Sequence, residues 1–236
     1  MTTTKEVITI VAVSDTHGIN DVIHASDTDL IPAIKIPSGD IFIYAGDFCN
    51  SGALQDVLAF NRWLTEHDIF NKFRYVVVVA GNHDIIFENS PHYAESFLHK
   101  QVIYLKDNEC KCYYGSELSA GKYVRIYGSP WSLEFNNWAF MKTEEQLAKK
   151  FAKIPEGIDI LVTHSPPYGI LDVVKNDHLG SKSLADKVKQ IKPKVHIFGH
   201  LHEGYGHEEH DGIHYYNVSI LDGMYSISNK PTEIEL

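Results

Sequence analysis

The chain has 236 residues, is 44% hydrophobic and carries a formal net charge of −10, with arginine only at Arg62, Arg74 and Arg125. That balance excludes a surface that holds long DNA or RNA by neutralising phosphates, and no stretch approaches the roughly 18 apolar residues of a membrane span. The length suits one α/β domain over residues 1–236 with a sizeable core; no low-complexity tract or repeat marks a boundary.

Residues 1–6 lead into the first strand without a basic and then apolar leader, so no secretory signal is expected. The three cysteines, Cys49, Cys110 and Cys112, lack the spacing of a structural zinc site. A reducing cytoplasm is the expected location.

In chain order, 7–13 is the first of several short, β-branched, nearly continuous apolar runs of the kind that form strands buried on both faces. Asp15 and His17 follow it. The run 41–44 is followed by Gly46 and Asp47, and residues 53–68 then carry Leu54, Val57, Leu58 and Leu64 at helical spacing, with Ser51 or Gly52 as cap. The run 75–79 is followed by Asn82 and His83. A short helix over 91–99 and strands at 102–105 and 123–127 come next. Thr143 and two glutamates open a helix over 143–153. The run 158–162 precedes His164, a helix spans 181–191, and 195–198 precedes His200 and His202. From Gly204 the tail, including 213–219, reads as antiparallel strands and turns.

Asp15, His17, Asp47, Asn82, His164, His200 and His202 thus stand just past the ends of five strands. Loops leaving the carboxyl ends of such strands converge in one crevice, which brings the seven donors together. Asp15 and His17, two apart on an extended segment, face one side. Gly46 lets the backbone turn sharply and bring Asp47 inward. A carboxylate can bridge two cations, and Asp47 is the candidate bridge. Mixed imidazole and carboxylate ligation suits manganese, iron, cobalt or zinc better than calcium or magnesium.

The blocks Asp15-Thr16-His17, Gly46-Asp47, Gly81-Asn82-His83-Asp84, Thr163-His164 and Gly199-His200-Leu201-His202 resemble, in order, the five signature blocks of the calcineurin-like metallophosphoesterase superfamily. Thr163 to Pro167, Gly169 to Asp172 and Phe198 to Gly206 resemble more closely its metallophosphoesterase-domain-containing (MPPED) branch. Some members of that branch lose the first histidine of the Gly-His-x-His block; this chain keeps His200.

The resemblance implies an α/β fold, a β-sandwich of two mixed sheets flanked by helices, with two divalent metal ions, manganese foremost. Asp15, His17, Asp47 and His202 would hold the first ion, and Asp47, Asn82, His164 and His200 the second. It further implies hydrolysis of a phosphoester by hydroxide bridging the ions. His83 would be a non-ligand that protonates the leaving oxygen.

One departure bears on substrate. Protein phosphatases of the superfamily follow the second block with an aspartate that orients the catalytic histidine and an arginine that grips phosphate; here Asn50 and Ser51 stand there. Asparagine accepts a hydrogen bond but cannot offset imidazolium charge, and the lost arginine argues against phosphoprotein monoesters. Phe48, Phe87, Trp131, Tyr168 and Tyr205 fall on or near the expected rim, where an aromatic ring can stack on a nucleobase. Asn50, Tyr168 and Tyr205 are the candidate substrate contacts.

The expected activity is therefore hydrolysis of small phosphodiesters, cyclic or other nucleotides included. The alternatives are a phosphomonoesterase or protein phosphatase, and a nucleotide-binding regulatory protein of low activity. The other histidines, His24, His67, His92, His99, His178, His196 and His214, read as surface or hydrogen-bonded residues, His207 and His210 as part of a solvated turn with Glu208 and Glu209, and Cys110 and Cys112 as packing.

Overall fold

A computed structural model describes residues 7–18, 34–115 and 121–236. The leader expectation for residues 1–6 and the placing of His24 lie outside the described residues.

The chain forms β1 (Thr9–Val13), β2 (Ile41–Ala45), α1 (Leu54–Glu66), α2 (Ile69–Lys72), β3 (Tyr75–Val79), α3 (Ile85–Asn89), α4 (Pro91–Ser96) and β4 (Val102–Leu105). It continues through β5 (Asn108–Tyr113), β6 (Tyr123–Ser129), β7 (Ser132–Leu133), β8 (Met141–Lys142), α5 (Glu144–Phe151), β9 (Ile160–Thr163), β10 (Val173–Val174) and β11 (Asp177–His178). It ends with α6 (Lys182–Ile191), β12 (Val195–Phe198), β13 (Gly206–His210), β14 (Ile213–Asn217) and β15 (Thr232–Glu235).

Two mixed sheets dominate, in the orders β15-β1-β2-β3-β4 and β13-β14-β12-β9-β6-β5. In the first, β1 to β4 are parallel and β15 is antiparallel. In the second, β6, β9, β12 and β14 are parallel, with β5 and β13 antiparallel at the edges.

The apolar runs serve two layers because successive strand residues point to opposite faces. Ile10 and Ala12 of β1, Ile43 of β2 and Val77 of β3 pack with Ile126, Ile160, Val162 and Ile197 of the second sheet, so this layer is the filling of a sandwich. The alternate residues, Val11, Phe42, Tyr44 and Val78, face outward and join Val57, Phe60, Trp63 and Leu64 of α1; on the second sheet Leu161 and Phe198 share a cluster with Leu147, Phe151, Leu184 and Val188 of α5 and α6. Among the described residues, no helix is long and apolar enough to cross a membrane.

Local chemistry sets the helix ends. Thr143 accepts from Gln146 N at the start of α5 and Ser181 from Leu184 N at the start of α6. The expected Ser51 or Gly52 cap of α1 is replaced. The N-cap is Ala53, which offers no acceptor, and Asp56 instead takes Ser51 N at 2.9 Å and Ala53 N at 3.2 Å. The helix also ends sooner than 53–68 implies, because Asp68 turns left-handed (φ 58°) and α2 follows. Strand β15 is not legible in sequence; only Ile234 of its four residues is buried.

Candidate metal centre

The strand ends that carry the donors meet where the two sheets come together. Ser14 N donates to Val218 O at 3.0 Å, His164 Nδ1 lies 2.9 Å from Ala45 O, and His200 N donates to both oxygens of Asp15 at 3.0 and 3.1 Å. Each bond joins one sheet to the other, and each ends within a residue or two of a candidate ligand.

Four of the seven donors stand on left-handed backbone: Asp15 (φ 55°), His17 (φ 46°), Asp47 (φ 58°) and His200 (φ 70°). The Asp15 to His17 segment is therefore not extended; two left-handed residues bring these side chains to one side. Such conformations cost of order 1–3 kcal/mol each and persist where the surroundings impose them, commonly at functional sites. Gly46 (φ 99°) makes the expected sharp turn, and a Cβ there would overlap His164. At Gly199 a Cβ would overlap the Asp15 carboxylate, so the backbone closes directly over that donor.

The donors converge in two connected groups. His17 Nε2 is 3.1 Å from His202 Nε2, His202 Nε2 is 3.6 Å from Asp15 Oδ1, and His17 Nε2 is 3.7 Å from Asp47 Oδ2. On the other side of Asp47, Oδ2 is 3.3 Å from His164 Nε2, which lies 2.9 Å from Asn82 Oδ1. His200 shares a cluster with Asp47 and His164 whose candidate ligand atoms all lie within 4.8 Å of one another. Asp47 is the member common to both groups.

The residues present fit a pair of divalent ions. His164 Nδ1 is held by Ala45 O and His202 Nδ1 by Asp222 O at 3.0 Å, so each ring keeps Nε2 for a ligand, with its orientation set by the carbonyl behind it. Two carboxylates, four imidazoles and one amide oxygen, all buried except the half-buried His200, form an N/O donor set suited to transition metals.

Electrostatics agree with the packing. Burial alone would raise Asp47 and Asp15, but His164 and His17 around Asp47, and His202 and His164 around Asp15, hold both far below the usual carboxylate range. Burial opposes protonation of His164, yet Asp47 outweighs it and lifts the ring to about 9. Burial pushes His17 down to about 4 and His200 to about 3. These two rings are therefore neutral near pH 7, as ligation requires, whereas His164 must give up a proton to bind a metal.

Asp84 is a supporting residue to which the sequence assigned no role. It accepts from Asp47 N at 2.9 Å, Cys49 N at 2.8 Å and Gly81 N at 2.6 Å, tying the second and third donor loops together. Its signal was the fourth residue of the Gly81 to Asp84 block.

His83 lines the same open cavity, of about 270 Å³, as His17, Asp47, Asn82, His200 and His202. Its Nδ1 lies 2.7 Å from Asn50 O, which only accepts, so the ring proton sits on Nδ1 and Nε2 is the free nitrogen. The partner is the main-chain carbonyl, not the side chain, so a carboxylate at position 50 is not needed to hold the ring. Ser51 turns away and bonds Asp56. A His83 nitrogen also lies within 4.8 Å of ligand atoms of His17 and Asp47, so position alone permits ligation as well as proton donation.

The aromatic rim differs from expectation. Phe48, Phe87 and Trp131 are buried; Phe48 stacks on Phe60 at 4.3 Å, and Trp131 Nε1 donates to Asp107 at 2.7 Å. Large apolar rings next to strand ends fall into the outer core layers, which sequence spacing alone could not separate from the rim. Tyr168 and Tyr205 do not border the metal cavity: Tyr168 packs beside His178 at 5.2 Å, and Tyr205 lines another cavity and donates to Lys230 O at 2.9 Å. Among the described residues, Phe135, Trp138 and Tyr225 border the centre. Asn136-Asn137 and Asp222-Gly223, turn signals beside exposed rings, marked both loops.

Residues 8–204 match the family described as calcineurin-like phosphoesterase. The chain is 35% identical over 252 aligned residues to metallophosphoesterase domain-containing protein 1 of Homo sapiens, covering 96% of this chain and 70% of that one. It is 30% identical to UPF0046 protein T07D4.2 of Caenorhabditis elegans over 86% of this chain and 56% of the relative. A crystal structure of TT1561 from Thermus thermophilus superposes with a TM-score of 0.57 over 90% of this chain and 89% of that chain, at 15% identity, a likeness of fold alone.

Proposed function

Because the chain belongs to the calcineurin-like phosphoesterase family, we propose that it hydrolyses small phosphodiesters, cyclic and other nucleotides among them, at a centre holding two divalent ions, manganese foremost. Asp15, His17, Asp47 and His202 would hold one ion and Asp47, Asn82, His164 and His200 the other. When bound, such ions supply positive charge to the phosphoryl oxygens and lower the pKa of water.

The protein's own residues do the rest. Asp47 N and Gly81 N are tied to Asp84, and Asp47 Oδ1 accepts from His83 N at 2.7 Å, so the central carboxylate is fixed from two sides. Water adds to phosphorus opposite the ester oxygen and gives up one proton to solvent; the P–O bond to the ester oxygen breaks, and that oxygen takes a proton from Nε2 of His83 in its imidazolium form, which keeps its Nδ1 proton toward Asn50 O and regains the other from solvent. Asn50 O holds the far side of the ring throughout.

The observation that favours a diester is the charge of the cavity wall. Among the described residues that line it there is neither arginine nor lysine, and Arg125 is engaged elsewhere with Glu109 at 2.7 Å. A monoester dianion would have only the metals to meet its second charge, whereas a diester monoanion carries one charge fewer. Manganese-loaded protein is expected to turn over bis-p-nitrophenyl phosphate faster than p-nitrophenyl phosphate and to cleave a cyclic nucleotide. Faster turnover of the monoester, or turnover of neither diester at millimolar concentration, would reject the assignment. The family fits a small-molecule substrate; a cytoplasmic location is part of the proposal.

A further inference from the structure

His83 is fixed at one point by Asn50 O, and a single hydrogen bond leaves the plane of an imidazole free to tilt. The indole of Trp138 lies flat on that plane, with ring centroids 4.2 Å apart and an interplanar angle of 27°. On another side the ring of His17 meets His83 edge-on at 4.3 Å and 83°.

The loop that delivers Trp138 turns through left-handed backbone and is firmly anchored. Asn136, Asn137 and Phe140 all have left-handed backbone, at φ 51°, 58° and 54°. Phe140 is fully buried, its N–H donates to Glu88 Oε2 at 2.6 Å, and its carbonyl accepts from Ser132 N at 2.9 Å. Glu134 N donates to Lys142 O at 3.0 Å, closing the base of the loop. Strained backbone held this way goes with a required side-chain position, and the side chain presented toward the metal centre is Trp138, about one third exposed.

We propose that Trp138 is a positioning residue for His83, its indole face keeping the imidazole in the plane from which Nε2 meets the leaving oxygen. This rests on His83 being the proton donor. In this chain the flat ring and the main-chain carbonyl of Asn50 together fix the imidazole that the related phosphatases orient with an aspartate.

The test is a series of aryl methyl phosphates whose phenols differ in acidity, assayed with metal-loaded protein. Wild type should depend weakly on leaving-group acidity, because proton donation compensates for poor leaving groups. Trp138→Leu should depend steeply on it, losing roughly 10–100-fold on the least acidic phenol and less than about threefold on the most acidic, a part of the range general acids supply. Metal content should be unchanged, and Trp138→Phe, which keeps a flat ring, should restore the weak dependence. His83→Ala, assayed alongside, should be steeper still. If His83→Ala is as shallow as wild type, His83 is not the donor and the role of Trp138 falls with it. If His83→Ala is steep and Trp138→Leu shallow, or if Trp138→Leu changes only KM, His83 stands as donor and Trp138 is a substrate platform, which overturns the proposal.

Discussion

The floor and the mouth of the cavity are built by opposite means. The floor is a set of largely buried polar side chains on strand-end turns, its two carboxylates fixed by neighbours: Asp15 takes His200 N and Ser219 Oγ, and Asp47 takes His83 N. The mouth is aromatic and exposed. Phe135 is 66% and Tyr225 56% accessible, and Tyr225 reaches the floor only by its ring, 4.9 Å from His17 and 5.0 Å from His202. Ligand geometry demands fixed donors, whereas a varied leaving group is met by exposed apolar rings. Floor changes should therefore act on metal content and kcat, and mouth changes on KM.

The largest expected effect is at the shared carboxylate. Asp47→Asn removes the negative charge common to both groups; even outer-sphere partners of metal ligands are worth 10–100-fold, so diesterase activity should fall by more than about 100-fold. Elemental analysis should show metal loss in the same variant. Full metal content with full activity would place the centre elsewhere.

A pH experiment separates the floor's titrating groups from the core beneath it. His196 is buried, its Nε2 lies 2.8 Å from Thr163 Oγ1, and that hydroxyl already donates to Ser165 O, so Nε2 carries the ring proton. Burial pushes this ring down to about 3. Because the folded-state pKa lies below the unfolded value, the unfolded chain binds the extra proton first. The contribution is present above pH 6.5 and is lost as pH falls toward 3, at up to about 1.4 kcal/mol per pH unit. Denaturant midpoints between pH 7 and 4 should fall less steeply for His196→Gln than for wild type; equal slopes would show His196 titrating normally.

The smallest effect belongs to the mouth. Tyr225→Ala should raise KM for a cyclic nucleotide about five- to tenfold, the low end of the roughly 1–3 kcal/mol of a base stacked on an aromatic ring, with kcat within about twofold. A fall in kcat together with metal loss would erase the distinction between floor and mouth. Trp138, a mouth residue proposed to act on His83, couples the two regions.

The floor was readable in sequence because strand ends are: the apolar runs at β1, β2, β3, β9 and β12 end where a donor begins, and parallel strands carry those ends to one edge. What failed was local backbone. Nothing in Asp15 to His17 announces two left-handed residues, and Ala53 gives no hint that Asp56 folds back over the start of α1. The mouth failed for another reason. Phe48, Phe87 and Trp131 lie as close to strand ends in sequence as rim residues would, and tertiary packing alone puts them in the core. Phe135, Trp138 and Tyr225 sit in loops without periodicity, where only the turn residues beside them carried a signal.

In the proposed centre one buried carboxylate, Asp47, is shared by two metal positions. The most direct measurement is the number of ions bound per chain when metal-free protein is titrated with manganese. Two equivalents for wild type, reduced in Asp47→Asn, are predicted; a single equivalent, or two that survive the substitution, would contradict it.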